Sequence, residues 1–328
     1  MKLMEGNQMP TILALLSPGD DIQELLIAPE NVDICYVYKN ETNFFSRCIK
    51  RFKLLFPSNS FAFSHEFLSK DLSKYDVIIL DETIYPDKII KNIRNRNQKC
   101  KIIYWMWNTV EYSGRLRLYD KWRRWDILLS MRKKYNFIIS SFDLGDCQKY
   151  NLTYNNQVAP FFRDVSISNP ISNSIFFFGK DKGRLPHLRN LAKQFRSLGY
   201  ICDFNVVSDA RKKYSSDSFD GVKRVNYTAY KNIIKQELNS NALLEILQDG
   251  QGGITWRALE ALFYKRKLIT NFLNIKNYDF YNADNIYIIG LDEEKRFEQF
   301  MKIPYQEIPE TIRNKYTFIG WLKNMLNN

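Results

Sequence analysis

The chain has 328 residues, of which 45% are hydrophobic and 26% charged, a composition that indicates a folded globular protein and excludes an intrinsically disordered one. A chain of this length predicts two domains. Its formal net charge of +12 indicates an anionic partner, and nucleic acid, anionic lipid, phosphorylated glycans and nucleotide-sugars all fit that charge.

The cysteines, histidines and apolar runs further narrow the classes of protein that this sequence can represent. The five cysteines are odd in number and lack C-x-x-C spacing, which favours reduced thiols in a cytosolic protein. With two histidines the chain offers little for a zinc site, and we expect no metal. No apolar run approaches the roughly 20 residues of a membrane span.

Apolar runs bounded by turn residues alternate with helical patterns through the first half of the chain. They predict strands over 11–16, 32–38, 76–80, 101–107 and 137–141, with helices over 87–95, 116–133 and 143–150. Two prolines and several small polar residues then interrupt the pattern over 158–173, which is typical of an inter-domain linker.

A second alternating series of similar size follows. It predicts strands over 174–178, 201–207, 242–246, 267–271 and 286–289, with helices over 185–198, 227–238, 254–264 and 292–302. The tail over 309–326 has helical spacing that places Phe318, Trp321 and Met325 on one side.

Two such series predict an α/β protein of two doubly wound, Rossmann-like domains that face each other across a cleft. Ligands in such sheets bind beyond the carboxyl ends of the strands. We place the domains at 9–160 and 174–308, joined by a linker over 161–173 and followed by a carboxyl-terminal helix over 309–328.

The glycine-rich segment over 249–271, DGQGGITWRALEALFYKRKLITN, is the strongest candidate for ligand binding. Gly250, Gly252 and Gly253 follow a predicted strand and precede a predicted helix. Backbone N–H groups and the positive end of the helix dipole at such a turn suit a phosphate. The alternative is an ordinary tight turn between a strand and a helix.

Three polar side chains accompany this turn. Thr255 and Arg257 add a hydroxyl and a cation near the start of the helix, where they can approach the same phosphate. Glu260 lies further along the helix, and its carboxylate suits sugar or ribose hydroxyls. A solvated glutamate with no ligand is the alternative interpretation.

A basic loop over 175–189, IFFFGKDKGRLPHLR, follows another predicted strand. Lys180, Lys182 and Arg184 precede a helix there, and cations on a flexible turn at the carboxyl end of a strand suit a diphosphate. The alternative is a solvated basic loop. In the two-domain arrangement, this loop and the glycine turn lie at the same edge of one sheet.

At this point the sequence resembles a known family. The segment over 252–289 is similar to the carboxyl-terminal donor-site motif of bacterial cell-surface glycosyltransferases of the GT-B type, above all lipopolysaccharide core, O-antigen and capsule transferases. In that motif G-L-T-x-R-x-x-E-x-L precedes K-K-L-I-T and a later Y-D-F-Y-N. Matching residues here are Gly253, Ile254, Thr255, Arg257, Glu260, Leu262, Lys267, Leu268, Ile269, Thr270, Tyr278, Asp279, Phe280, Tyr281 and Asn282. The resemblance covers roughly residues 138–290.

The resemblance implies a nucleotide-sugar held mainly by the carboxyl-terminal domain. Glu260 would bind ribose or sugar hydroxyls, Gly252 and Gly253 with Thr255 would approach the diphosphate, and Lys182 or Arg184 would offset its charge. Many retaining GT-B enzymes carry a second acid eight residues before the helix glutamate, where this chain has Gly252. Retaining and inverting chemistry therefore both stay open.

Metal-independent transfer is expected, with no cofactor. Glycosyltransferases of the GT-A type usually use an Asp-x-Asp metal site after a strand, and no Asp-x-Asp occurs in this sequence. Basic side chains and helix dipoles would then stabilise the departing diphosphate.

The amino-terminal half offers candidates for a general base, which an inverting enzyme needs to remove the proton of the acceptor hydroxyl. Glu111 is the first candidate because the stretch W-M-W-N-T-V-E follows a predicted strand and combines sugar-stacking aromatics with a carboxylate. Asp81, at the end of another strand, is the second. Each is otherwise a solvated loop acid.

A basic, aromatic segment over 114–136 is a candidate membrane or acceptor surface. Trp122 and Trp125 fall on one side of a predicted helix, and Arg123 and Arg124 add to its basic character. Such a helix suits docking on anionic lipid near a lipid-linked acceptor. The alternative is a helix packed on its own sheet.

These features favour a glycosyltransferase of the hexosyl-transferring class at the cytoplasmic face of a bacterial inner membrane, acting in lipopolysaccharide or related surface-glycan synthesis. Its expected partners are a nucleotide-sugar, a lipid-linked glycan acceptor and an anionic membrane surface, without nucleic acid. The alternative is a basic nucleic-acid-binding protein without catalytic activity, although no recognition-helix, RNP or zinc-finger pattern supports it.

Overall fold

The computed structural model describes residues 10–17, 32–38, 63–82, 86–110, 128–159, 169–209, 212–215, 217–248 and 251–327. The chain divides into two units. Unit 1 comprises Met1–Asn156 and Phe318–Asn328, and unit 2 comprises Gln157–Thr317.

Unit 1 contains a six-stranded parallel sheet in the order β2-β1-β3-β4-β5-β6. Its strands are β1 (Ile12–Leu16), β2 (Val32–Tyr36), β3 (Val77–Asp81), β4 (Lys101–Trp105), β5 (Ile138–Ser141) and β6 (Thr153–Tyr154). The helices described between them are α1 (His65–Ser69), α2 (Pro86–Arg96), α3 (described over 128–135) and α4 (Leu144–Tyr150). Strands β1 and β3 are buried throughout, as expected for parallel strands covered on both faces.

Unit 2 contains a second six-stranded parallel sheet, in the order β12-β11-β10-β7-β8-β9. Its strands are β7 (Ile171–Lys180), β8 (Ile201–Val207), β9 (Lys223–Val225), β10 (Ser240–Glu245), β11 (Lys267–Thr270) and β12 (Ile286–Ile288). Its α-helices are α5 (Leu185–Ser197), α6 (Tyr230–Glu237), α7 (Trp256–Phe263), α8 (Phe297–Lys302) and α9 (Glu310–Arg313). Short 3-10 turns cover Leu273–Asn277, Glu294–Arg296 and Asn314–Tyr316.

The strand order of unit 2 places a switch point at β7. From β7 the chain moves outward to β8 and β9 on one side, then returns to β10, β11 and β12 on the other. The strand order therefore reverses between β7 and β10. Ligands bind at such switch points in doubly wound sheets.

The carboxyl-terminal helix α10 (Phe318–Asn327) belongs to unit 1 and not to the unit that precedes it. Trp321 packs against Trp105 of β4 with ring centroids 4.8 Å apart, and Phe318 stacks on Trp321. The Lys101 ammonium donates to the Met325 carbonyl at 2.7 Å. The predicted apolar side of the tail, Phe318, Trp321 and Met325, is buried.

Several boundaries differ from those expected. Helix α10 begins at Phe318, because residues 310–316 form α9 and a 3-10 turn within unit 2. Strand β7 begins at Ile171, inside the predicted linker, and the division between the units falls after Asn156. Residues 160–168 lie outside the described part of the chain. The short strands β6 and β9 were not predicted.

Candidate functional site

Arg184 lies at the switch point of the second sheet and connects the ends of its two central strands. Its Nη1 donates to the Ile246 carbonyl at 2.6 Å, just beyond β10, and its Nη2 donates to the Lys180 carbonyl at 2.6 Å, at the end of β7. The guanidinium also lies 5.3 Å from the Phe177 ring centroid. A Cβ at Gly179 would lie 3.0 Å from Arg184 Nη2, so a glycine leaves room for this arrangement.

A tight turn presents the neighbouring lysine. The Arg184 N–H donates to the Asp181 carbonyl at 2.8 Å, and the two central residues, Lys182 and Gly183, have positive φ angles of 45° and 85°. Two left-handed residues in succession are the mark of a type I′ turn. A non-glycine residue there costs backbone energy, and the Lys182 N–H is held by a 2.8 Å bond to the Asp209 carboxylate.

The three predicted cations of this loop, Lys180, Lys182 and Arg184, come together at the carboxyl edge. Burial lowers the pKa of Lys182 to about 8, and the charges of Arg184 and Lys180 act in the same direction. Lys180 is exposed. Positive charges held close together repel one another. Binding an anion beside them relieves this repulsion and is therefore favourable.

Asp181 fixes the turn through its buried carboxylate, a role that the sequence did not predict. Its fully buried carboxylate accepts from the Lys212 ammonium at 2.7 Å, the Tyr214 hydroxyl at 2.9 Å and the Leu185 N–H at 2.8 Å. These bonds join the turn after β7 to the segment after β8 and to the start of α5. Burial alone would raise the pKa of this carboxyl. The three bonds lower it by more, so its pKa lies below the ordinary value.

The start of α7 is the second part of the site. Gly252 is exposed and Gly253 is buried, while Asp249 and Gly250 lie outside the described residues. Thr255 is the N-cap of α7, and its hydroxyl oxygen accepts from the Arg257 N–H at 3.1 Å. The same hydroxyl donates to Glu245, so its proton is already directed at a protein carboxylate.

Glu245 is a second acid that sequence reasoning missed. It is the last residue of β10, is buried, and accepts from the Thr270 hydroxyl at 2.5 Å as well as from Thr255. Burial raises the pKa of Glu245, and the bonds from the two threonines oppose that rise. The carboxylate thus connects the end of β11 with the N-cap of α7.

Arg257 is enclosed by acids. Its Nη1 forms ion pairs with Glu237 and with Glu260, the latter at 2.8 Å, and its Nη2 donates to the Phe178 carbonyl at 3.2 Å. Burial lowers the pKa of Arg257 to about 9, with a smaller effect from the charge of Arg184. Its guanidinium therefore compensates two buried carboxylates in this structure, whereas the sequence suggested a direct contact with phosphate.

Glu260 is only 1% exposed. Its Oε2 lies 2.8 Å from Arg257 Nη1, and its Oε1 accepts from the Tyr230 hydroxyl. Burial raises the pKa of Glu260 to about 8. Tyr230 and Glu237, both on α6, are partners that the sequence pattern did not reveal.

The acids proposed for unit 1 occupy different surroundings. Asp81 is the last residue of β3 and is buried. The next residue, Glu82, accepts from the Trp107 and Asn108 N–H groups at 3.1 and 3.0 Å and from the Asn108 side chain. Glu82 therefore fixes the loop after β4. Glu111, together with Trp122, Arg123, Arg124 and Trp125, lies outside the described residues.

The described residues contain neither a metal-binding cluster nor a membrane-spanning helix. In this part of the chain, no group of three or more histidine, cysteine, aspartate or glutamate side chains is arranged to hold a metal ion. Among the helices described, none has the length and apolar character needed to cross a membrane.

Comparison with known proteins gives a match in fold. No family model and no curated protein sequence matches this chain. It is similar in structure to AviGT4, a glycosyltransferase involved in avilamycin A biosynthesis, with 10% identity and a TM-score of 0.53 over 97% of this chain and 96% of AviGT4. TarM is 14% identical with a TM-score of 0.49 over 80% of this chain, which spans 56% of the TarM chain. The UDP-N-acetylglucosamine 2-epimerase of Rickettsia bellii is 9% identical, with a TM-score of 0.46 over 98% of this chain and 96% of the epimerase.

The likeness to AviGT4 at this level of identity concerns the fold. Two six-stranded parallel sheets with flanking helices form the two Rossmann-like α/β domains of the GT-B type. The fold class predicted from the sequence, and the resemblance to GT-B glycosyltransferases, are confirmed.

Proposed function

We propose that this protein is a glycosyltransferase of the hexosyl-transferring class, which moves a sugar from a nucleotide-sugar donor to a lipopolysaccharide core or related surface glycan. The observation that carries the proposal is the switch point of unit 2, where Arg184 connects the ends of β7 and β10 beside a turn that presents Lys182. A positively charged crevice at this position of a doubly wound sheet suits a nucleoside diphosphate.

The cations would have different roles at the diphosphate. Arg184 already donates to three backbone carbonyls, at the ends of β7 and β10 and within the turn, so its role is to fix the turn and to add positive potential. Lys180 and Lys182 would contact the phosphate oxygens. As the sugar leaves, negative charge grows on the diphosphate, and these ammonium groups stabilise it. The N–H groups of Gly252 and Gly253, ahead of α7, add further donors.

Glu260 would bind a hydroxyl of the ribose or the sugar through its carboxylate. Its position on α7, one turn beyond the N-cap Thr255, places it on the same helix that approaches the diphosphate. Arg257 holds the Glu260 carboxylate by an ion pair, and the same guanidinium pairs with Glu237 of α6. In this role Glu260 binds the donor and does not remove a proton.

The acceptor side belongs to unit 1 in this proposal. Glu111 would remove the proton of the acceptor hydroxyl, with Asp81 as the alternative base. Trp122, Arg123, Arg124 and Trp125 would contact an anionic membrane that carries the lipid-linked acceptor. The enzyme would then be a cytoplasmic protein, peripheral on the inner face of a bacterial inner membrane, and would use neither a metal nor a cofactor.

Thermal-shift measurements with UDP-, GDP-, dTDP-, ADP- and CMP-linked sugars test this proposal. A ligand that binds the folded state raises the unfolding temperature, so one class of nucleotide-sugar should stabilise the protein. The same measurement with single- and double-stranded oligonucleotides tests the alternative. Stabilisation by oligonucleotides, with no response to any nucleotide-sugar, would reverse the assignment.

A further inference from the structure

The tyrosine that bonds the Glu260 carboxylate packs against a tryptophan. Tyr230 is the first residue of α6 and Trp256 the first residue of α7, and their ring centroids lie 5.7 Å apart. The Tyr230 hydroxyl donates to Glu260 Oε1. With Glu260 only 1% exposed, a ligand reaches this oxygen only when the tyrosine moves.

The two carboxylate oxygens of Glu260 differ in what holds them. Oε2 faces Arg257, whose guanidinium also pairs with the buried Glu237 and donates to the Phe178 carbonyl. Moving that cation would leave two buried acids without their counter-charge, which is costly. Oε1 is held by a neutral hydroxyl, and another neutral hydroxyl can replace it without any change of charge.

The position of Tyr230 makes such a replacement feasible. Tyr230 is half-buried and follows residues 226–229, which have no regular secondary structure. The N-cap residue Ala229 provides no side-chain bond to the start of α6. A rotation of the ring therefore breaks its hydrogen bond to Glu260 and removes no side-chain cap from the start of α6.

We propose that the Tyr230 hydroxyl occupies the hydroxyl-binding position of Glu260 and is displaced by a ribose or sugar hydroxyl of the ligand. This inference rests on the donor role of Glu260 proposed above. It makes Tyr230 a specificity-determining residue: a ligand gains the Glu260 bond only if it carries a hydroxyl to exchange. A ligand without such a hydroxyl leaves Tyr230 in place.

Binding of matched nucleotides to the Tyr230→Phe variant tests the exchange. The probes are UDP, GDP and ADP, each with its 2′,3′-dideoxy counterpart, titrated calorimetrically into the full chain. Removing the phenol hydroxyl frees Oε1 while retaining the ring beside Trp256, so affinity for the ribonucleotide that binds should rise by about threefold to tenfold. Affinity for the dideoxy counterpart should stay unchanged.

Two further variants separate exchange from a general loosening of the site. Tyr200→Phe is the matched control, since Tyr200 is also a half-buried tyrosine that packs against an aromatic ring, but it precedes the amino end of β8. It should leave both affinities unchanged. In a Glu260→Gln background, Tyr230→Phe should give a much smaller gain, because the carboxylate that the hydroxyl blocks is gone.

The outcomes distinguish this inference from the proposed function. If wild type binds a ribonucleotide but Tyr230→Phe leaves its affinity unchanged, or shifts both nucleotides of a pair equally, the exchange is wrong and the donor site stands. If the gain persists in full in the Glu260→Gln background, the exchange is also wrong. If wild type binds none of the nucleotides, the exchange and the donor site fail together.

Discussion

Lys182 shows how a single residue can be prepared for an anion. Its amide N–H donates to Asp209, and its φ of 45° belongs to a conformation that few lysines adopt. Two further cations, Lys180 and Arg184, lie two residues away on either side. Burial and these charges lower the pKa of Lys182 to about 8. The protein therefore keeps a costly backbone conformation and a costly charge in one place, which is typical of functional sites.

The pKa of Lys182 predicts a pH dependence of binding. Above about pH 8 the free protein loses the Lys182 proton, so affinity for a nucleoside diphosphate should fall as the pH rises from 8 to 10. Lys182→Arg retains its charge over this range and should bind with little pH dependence. Calorimetric titration at several pH values measures this, with the exposed Lys193→Met on α5 as control. An equal pH dependence in wild type and Lys182→Arg would contradict the prediction.

At the scale of elements, the entry into α7 depends on one buried acid. Glu245 accepts from Thr255, the N-cap of α7, and from Thr270 at the end of β11. The cap hydroxyl also accepts from the Arg257 N–H. The start of this helix is therefore fixed to the edge of the sheet.

Removing the cap hydroxyl of Thr255 should destabilise the protein more than removing a solvent-exposed cap hydroxyl would. Thr255→Ala loses the bond to the helix N–H, worth about 1 kcal/mol, and leaves a buried Glu245 oxygen without its donor, which costs about 1–3 kcal/mol more. Thr255→Ser retains both bonds and should unfold close to wild type. Urea unfolding measures the difference. A loss of less than about 0.5 kcal/mol in Thr255→Ala would contradict this account of the helix start.

The elements that were predicted correctly share a physical cause. Strands such as β1 and β3 are largely apolar runs because both faces of a parallel sheet are buried. The missed strands β6 and β9 are two and three residues long and lie at sheet edges, so their sequences carry no such run. The cations of the basic loop were also predictable, because strand ends at one edge bring their loops together.

The acids around the site were not predictable in the same way. Glu237 and Glu260 are buried because α6 and α7 approach each other, as the cluster of Ile234, Leu238 and Tyr264 shows. A glutamate on an amphipathic helix ordinarily faces solvent, so the sequence favours a solvated or ligand-binding role. The pairing of Glu260 with Arg257 and Tyr230 depends on tertiary packing, which local spacing does not encode.

At the scale of the whole molecule, the net charge of +12 indicates an anionic partner. The proposed membrane contact predicts that the protein floats with vesicles containing anionic lipid, and that salt reverses this. Replacing Trp122 and Trp125 by serine should weaken flotation, while vesicles of neutral lipid serve as control. Flotation that is absent, or insensitive to salt, would contradict a peripheral membrane location.

The most direct test of the donor site is calorimetric titration of the nucleotide-sugar that stabilises the protein. Wild type should show one saturable site. Arg184→Met should bind about tenfold more weakly or worse, because the turn that presents Lys182 loses its bonds to β7 and β10. Arg189→Met, on the same helix but paired with Asp220, should bind like wild type. Equal affinity in all three proteins, or no saturable binding in wild type, would contradict the assignment of this edge as the nucleotide-sugar site.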